Sequence, residues 1–205
     1  MGRSRRLAGR LFVLSSPSGG GKTTVARATI AALPRLVRSV SVTTRAPRPG
    51  ERHGVDYRFV SPASFEQLRR EGQLLEWARV HEAYYGTPAG PVERAVRRGQ
   101  DVLLCIDIQG AREIRRRTGS NAVLIFLTPP SIADLRRRLI KRRTDSEEAI
   151  RHRLTVARRE LAASRWYDYT VMNQRLREAV EQLKAIILAE RARVRPAQRS
   201  RRRER

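Results

Sequence analysis

The stretch Ser15-Ser16-Pro17-Ser18-Gly19-Gly20-Gly21-Lys22-Thr23-Thr24 carries the clearest chemistry in the chain. Glycines let successive backbone N–H groups turn inward around a phosphate, and a helix that opens just after them adds its positive end. In such a loop Lys22 reaches the β- and γ-phosphates of a nucleoside triphosphate, and the Thr23 hydroxyl holds Mg²⁺. One position departs from G-x-x-x-x-G-K-[ST]: Ser16 stands where the first glycine is usual. Asp107, at the end of an apolar run, is the natural second oxygen ligand for the ion. The lesser alternative for the same aspartate is a helix cap after a strand.

Two further patterns suit anions. Arg45 and Arg48 lie three apart in Ser41-Val42-Thr43-Thr44-Arg45-Ala46-Pro47-Arg48-Pro49-Gly50-Glu51, a proline-stiffened loop that makes a rigid fork for a phosphate. Tyr57 and Tyr85 add phenolic donors. Arg136, Arg137, Arg138, Arg142, Arg143, Arg151 and Arg153 form a later cluster, of the kind that clamps a phosphoryl group in flight. Arg138 and Arg142 share a helix face, being four apart. Spacing alone does not choose among these arginines or separate them from a solvated basic face.

The elements that must position these groups follow from the pattern of apolar residues. Leu11–Ser15 reads as a buried strand, followed by a helix from Lys22 to about Leu33. Val37–Val42 alternates and reads as a second strand, Arg45–Gly54 as loop, and Tyr57–Val60 as a short strand. Ser61 and Pro62 are a helix N-cap and first position, opening a helix to about Arg70. After Trp77 a loop is expected through Tyr84-Tyr85-Gly86, then a helix from Pro91 to about Arg98. Val102–Ile106 and Val123–Leu127 are apolar strands, and Ser131–Arg143 is a basic helix. Asp145, with Glu148 as capping-box partner, opens the next helix. Tyr169–Met172 is the last strand and Arg175–Arg193 a closing helix. Apolar strands alternating with helices predict an α/β fold: a parallel sheet flanked by helices, carrying polar inserts.

Composition narrows the class. The chain has 205 residues, 40% of them hydrophobic, enough for a real core. Its single cysteine, Cys105, excludes a disulfide framework and a cysteine-based zinc cluster. No apolar run approaches the roughly 20 residues that span a bilayer, and neither a signal peptide nor a myristoylation site is read at the start, so a cytoplasmic protein without a membrane partner is expected. The net charge is +24, with lysine only at Lys22, Lys141 and Lys184. The stretch 191–205 holds eight arginines against Glu204. It is read as a disordered, solvated tail without aromatics for base stacking, and nucleic acid would be held only through it. His53, His81 and His152 carry no ligand spacing.

The chain resembles the guanylate kinases over nearly its whole length. S-x-P-S-G-x-G-K-T, S-x-T-T-R-x-P-R-x-G-E-x-x-G-x-x-Y, L-E-W, Y-Y-G-T, I-D-x-Q-G and Y-D-Y-x-V-x-N occur in family order and spacing. The resemblance implies a P-loop NTPase core over 10–42, 91–130 and 156–190. It further implies a GMP-binding insert over 43–90 and an Arg-rich lid over 131–155, between a basic extension at 1–9 and the tail at 191–205. It implies Mg²⁺-dependent phosphoryl transfer from ATP to GMP, with dGMP also accepted. ATP would be held by Ser16, Pro17, Ser18, Gly19, Gly20, Gly21, Lys22, Thr23 and Thr24, with Asn173 near the adenine. GMP would be held by Ser41, Arg45, Arg48, Glu51, Tyr57, Glu76, Tyr85, Thr87 and Asp107. The catalytic residues carried over are Lys22, Arg45, Arg138, Arg142 and Arg153. Thr23 and Asp107 would hold Mg²⁺, partly through water.

The base-reading part of that assignment has its own chemistry. Guanine offers N1–H and N2–H₂ donors beside an O6 acceptor. Glu76 can accept from both donors, and the hydroxyls of Ser41 and Thr87 can donate to O6. Adenine has neither N1–H nor O6 and leaves a buried carboxylate poorly paired. On spacing alone, Glu76 reads as well as a surface carboxylate beside Trp77. Three positions depart from the family pattern: Cys105 replaces an acid two before Asp107, Arg143 replaces a glycine in the lid, and Gln174 replaces an acid after Asn173.

Overall fold

The computed structural model describes residues 8–80, 82–141 and 146–194. In chain order these form β1 (Leu11–Ser15), α1 (Lys22–Ala32), β2 (Leu36–Arg38), β3 (Val42–Thr43), β4 (Arg58–Phe59), α2 (Pro62–Arg70), β5 (Leu74–Val80), β6 (Ala83–Pro88), α3 (Ala89–Arg97), β7 (Asp101–Cys105), α4 (Ile108–Thr118), β8 (Ala122–Thr128), α5 (Ile132–Lys141), α6 (Glu147–Ala162), β9 (Tyr169–Met172) and α7 (Leu176–Ala192). Five strands pair in parallel in the order β2-β7-β1-β8-β9. Their sequences are almost wholly apolar because both faces of this sheet are covered. Successive side chains point to opposite faces. Phe12, Leu14, Leu103 and Ile125 therefore pack with Val25 of α1 and Leu183 and Ile187 of α7. Val13, Leu104, Leu124 and Phe126 pack on the other side with Val92 of α3 and Ala111 and Ile114 of α4.

A second, four-stranded sheet runs in the order β4-β3-β6-β5. Its small core, Val42, Phe65 and Leu74, is closed by α2, which Ser61 caps by accepting from the Ser64 N–H at 3.1 Å. Helices α5 and α6 have a separate core of Leu135, Leu139, Ile150 and Ala157. Two substructures thus stand on the main sheet, each with its own apolar seam.

Several sequence expectations are corrected. Val37–Val42 is not one strand: Leu36–Arg38 pairs with β7 in the main sheet, whereas Val42–Thr43 pairs with β4 and β6 in the second. The expected loop through Tyr84-Tyr85-Gly86 is strand β6, the return arm of a hairpin with β5. Helix α4 is absent from the sequence reading, because Gly110 and a run of arginines obscure its short apolar seam of Ile108, Ala111 and Ile114. Helix α6 is capped by Ser146, which accepts from the Ala149 N–H at 3.2 Å; Asp145 lies outside the described residues. The tail does not begin at 191, since α7 runs to Ala192 and Arg191 pairs with buried Asp101 at 2.7 Å. At the other end, Gly9 is already tied to the Val96 carbonyl at 2.8 Å. Among the described residues no helix is long and apolar enough to cross a membrane.

Candidate active site

The glycine loop leaves the end of β1 and enters α1 as expected. Gly19 and Gly21 have φ of +86° and +92°, a left-handed conformation that side chains resist. Ser16 is not left-handed, so that position does not need glycine; its hydroxyl donates to the Pro17 carbonyl at 3.1 Å. The serine has a consequence at Gly20, where an added Cβ would lie 2.9 Å from Ser16 Cβ. Lys22 Nζ donates to the Ile106 carbonyl at 2.9 Å, which holds the ammonium at the mouth of β7. Asn173, just past β9, donates to the Gly20 carbonyl at 2.7 Å and braces the loop from behind.

The second sheet presents the other half of the site. Arg45 donates through Nε to Tyr85 Oη at 3.1 Å and through one terminal nitrogen to both oxygens of Glu51, at 2.9 and 3.0 Å. Glu51 also accepts from the Arg48 N–H at 2.8 Å, so one carboxylate fixes the shape of the whole Arg45–Arg48 fork. The rings of Tyr57 and Tyr85 meet edge to face beside it, 6.0 Å apart. Alternation along β5 turns Leu74, Glu76 and Ala78 inward and Trp77 outward. Glu76 is therefore not a surface carboxylate. It is 3% exposed, directly opposite Thr87 in the β5–β6 register, and its Oε1 accepts from Thr87 Oγ1 at 2.6 Å. Burial pushes its carboxyl up to about 7, against the smaller opposing effect of the Thr87 hydrogen bond.

The two halves face each other. A cleft of about 490 Å³ is lined by Ser16, Ser18, Lys22, Ser41, Arg48, Tyr57, Glu76, Tyr85, Asp107 and Arg153, among others. A neighbouring cavity of about 380 Å³ is lined by Lys22, Thr23, Ser41, Arg45, Arg48, Glu51, Tyr57 and Tyr85, among others. Lys22, Ser41, Arg48, Tyr57, Tyr85 and Cys105 line both, so the two spaces adjoin across shared walls. Asp107 caps α4, its Oδ1 accepting from the Gly110 N–H at 2.9 Å, and it lines the cleft as well. The helix-cap reading of Asp107 therefore holds, and its carboxylate also faces the cleft.

Not every candidate gathers here. Arg138 is outside the residues lining these cavities; it donates to the Asn173 carbonyl at 2.6 Å and braces the back of the glycine loop. Arg142 and Arg143 lie outside the described residues. Thr87 is fully buried and spends its proton on Glu76. Other residues join the cleft that spacing did not single out. Gln109, visible inside I-D-x-Q-G, donates to Asp107 Oδ2 at 3.2 Å. Glu160 of α6 accepts from the Ser18 N–H, while its Oε2 is buried without a hydrogen-bond partner; burial raises its carboxyl pKa. No local pattern marks Glu160 in the sequence. Cys105 faces the cleft where an acid is usual, and desolvation raises its thiol pKa, so it brings no negative charge.

A sequence model of the guanylate kinases matches residues 8–190. The chain belongs to the guanylate kinase family. It is 48% identical to a guanylate kinase of Geobacter sulfurreducens over 185 residues, 90% of this chain and 91% of that one. It is 51% identical to a guanylate kinase of Thermus thermophilus over 187 residues, 91% of this chain and 84% of that one. Its fold matches the crystal structure of guanylate kinase from Anaplasma phagocytophilum with a TM-score of 0.79 at 36% identity, covering 92% of this chain and 89% of that one. The guanylate kinase motifs are the segments that build the cleft: the glycine loop, the Arg45–Arg48 fork, the β5–β6 pair and the β7–α4 junction.

Proposed function

We propose that this guanylate kinase transfers the γ-phosphoryl group of ATP to the phosphate of GMP, giving ADP and GDP, and accepts dGMP as well. The observation that carries the proposal is that the two cavities adjoin, sharing Lys22, Arg48, Tyr57 and Tyr85 in their walls. A triphosphate on the glycine loop and a monophosphate on the arginine fork would meet there. The acceptor oxygen is already anionic, so no general base is required. Catalysis then consists of alignment and charge neutralisation by Lys22, Arg45, Arg48 and Arg153, with Arg142 as a further lid arginine.

Guanine is read by the buried Glu76, which accepts from N1–H and N2–H₂. Because Thr87 donates to Glu76, Ser41, which lines both cavities, is left to donate to O6. Thr87 holds the acid in place. Thr23 and Asp107 offer a hydroxyl and a carboxylate at the two edges of the cleft. Among the described residues there is no group of three or more His, Cys, Asp or Glu side chains able to cage a metal. That donor set fits Mg²⁺, which keeps waters and takes most of its ligands from phosphate. When bound, the ion neutralises charge on the β- and γ-phosphates. The 43–90 insert and the 131–155 lid close over the nucleotides and exclude water, which would otherwise accept the phosphoryl group. The protein works in the cytoplasm, a reading supported by its nucleotide substrates.

A coupled ADP-release assay with GMP, dGMP, AMP, CMP and UMP as acceptors tests the proposal. Turnover should be fast with the two guanine nucleotides and slow with the rest. ADP release that does not depend on GMP would overturn it.

A further inference from the structure

Position 110 has no backbone reason to be glycine. It lies in the first turn of α4, its φ is outside the left-handed region, and alanine is the better helix former. What excludes a side chain is Glu76. A Cβ at position 110 would overlap Glu76 Oε2, and would lie 3.0 Å from Glu76 Cδ and 3.3 Å from Ile106 Cδ1. The carboxylate is not free to step aside, because its Oε1 is held by Thr87 at 2.6 Å and the residue is 3% exposed. Gly90, at the start of α3, makes the contrast: a Cβ there would meet only the guanidinium end of exposed Arg94, which can swing away.

We infer that Gly110 is a specificity-positioning residue: its bare Cα is the seat of Glu76 Oε2, and it sets the orientation in which that acid meets guanine. Thr87 holds one oxygen from the neighbouring strand and Gly110 receives the other from the helix, so the carboxylate has one position. The same glycine presents its N–H to Asp107 at 2.9 Å. One residue thus sets the distance between the base-reading acid and the acid at the phosphate end of the cleft. This deepens the proposed function and rests on it, because orientation of Glu76 matters to turnover only if Glu76 reads the base.

The test is a cycle of Gly110→Ala, Glu76→Ala and the double variant, with Gly90→Ala as control. Gly110→Ala should raise KM for GMP about tenfold or more, leave kcat at saturating GMP within about threefold, and leave KM for ATP unchanged. The GMP-over-AMP ratio of kcat/KM should fall by a similar factor, and Gly90→Ala should change none of these. In the Glu76→Ala background the alanine at 110 should add no further loss, because nothing is left to displace. Thermal melting without nucleotide reads the same cycle independently of catalysis. Gly110→Ala should lower the melting temperature in the parent and not in the Glu76→Ala background. A Gly110→Ala enzyme with KM for GMP within twofold of the parent, or an equal melting loss in both backgrounds, overturns the inference. A parent enzyme with no preference for GMP overturns the function proposed above, while the melting cycle still decides whether Glu76 occupies the space at Gly110.

Discussion

At residue scale, the role proposed for Glu76 joins stability and recognition through one proton. Burial raises its carboxyl from 4.5 to about 7 in the folded chain. The folded state therefore holds the proton more tightly than the unfolded one. The stability this group contributes is complete below the unfolded value of 4.5 and is lost as pH rises through about 7. Glu66 and Glu113 are held down at about 2 by arginine hydrogen bonds, so their contributions change only at lower pH. Melting of the nucleotide-free protein should thus fall between about pH 4.5 and 7 and level off above that, and Glu76→Gln should flatten much of that slope. GMP makes the opposite demand, since only the ionised carboxylate accepts from both guanine donors. KM for GMP should rise as pH drops below about 7, by up to about tenfold per unit. In Glu76→Gln the GMP-over-AMP preference should collapse; a KM for GMP that stays flat from about pH 6 to 8 in the parent would remove Glu76 from base reading. Lys22 gives a simpler expectation. Its ammonium is held at the β7 end by the Ile106 carbonyl alone among the hydrogen bonds described, so Lys22→Met should leave the melting temperature nearly unchanged while abolishing transfer. Near-normal turnover in that variant would contradict the role given to the lysine.

At the scale of elements, the link between insert and core is concentrated in one loop. Arg38, the last residue of β2, donates to the carbonyls of Val55 at 2.5 Å and Asp56 at 2.8 Å. Arg27 of α1 pairs with the Asp56 carboxylate, which also accepts from the Arg52 N–H at 2.9 Å. Asp56 directly precedes Tyr57, so the helix that follows the glycine loop helps place a ring that lines both cavities. Asp56→Ala should raise KM for GMP about tenfold and leave KM for ATP unchanged; equal loss on both nucleotides would mean a general weakening of the fold. This latch was not legible in the sequence. The glycine loop was, because its function is local: strand, glycines, Lys22, Thr23 and helix are consecutive. The Arg45–Arg48 fork was legible for the same reason. What escaped depends on pairing at a distance. Ser39-Val40-Ser41 carries the chain from one sheet to another, which alternation cannot register. Gly86 and Pro88 are turn residues by composition, yet in β6 they lie where Gly86 lets Leu74 and Phe65 approach and Pro88 ends the strand at the cap of α3. The burial of Glu76 follows only once β6 is recognised as its partner strand.

At the scale of the whole molecule, the +24 charge divides into arginines that hold the fold and arginines that do not. Much of the helix surface is self-neutralised by pairs three or four residues apart, such as Glu113 with Arg116 and Arg117, and Glu66 with Arg69 and Arg70; exposed pairs of this kind contribute little to stability. The end of α7 is different. Asp101 is 6% exposed at the base of the central sheet, and it accepts from the Arg10 N–H at 2.7 Å and from Arg191 Nε at 2.7 Å. Arg191 also donates to the Pro34 carbonyl at 2.8 Å, and Arg10 to the carbonyls of Arg191 and Arg193. These bonds fasten the central strand β1, its neighbour β7 and the last helix to one another. Two truncations should therefore behave differently. Ending the chain after Val194 removes six arginines and Glu204, and should leave melting and kinase activity unchanged while weakening retention on a polyanion column. Ending it after Glu190 strips Asp101 of its guanidinium partner, and should cost about 1–3 kcal/mol, a clear drop in melting temperature. If both truncations melt alike, Arg191 is no more than another surface charge. If neither alters retention on the column, the charge that attracts polyanions belongs to the folded domain and not to the tail.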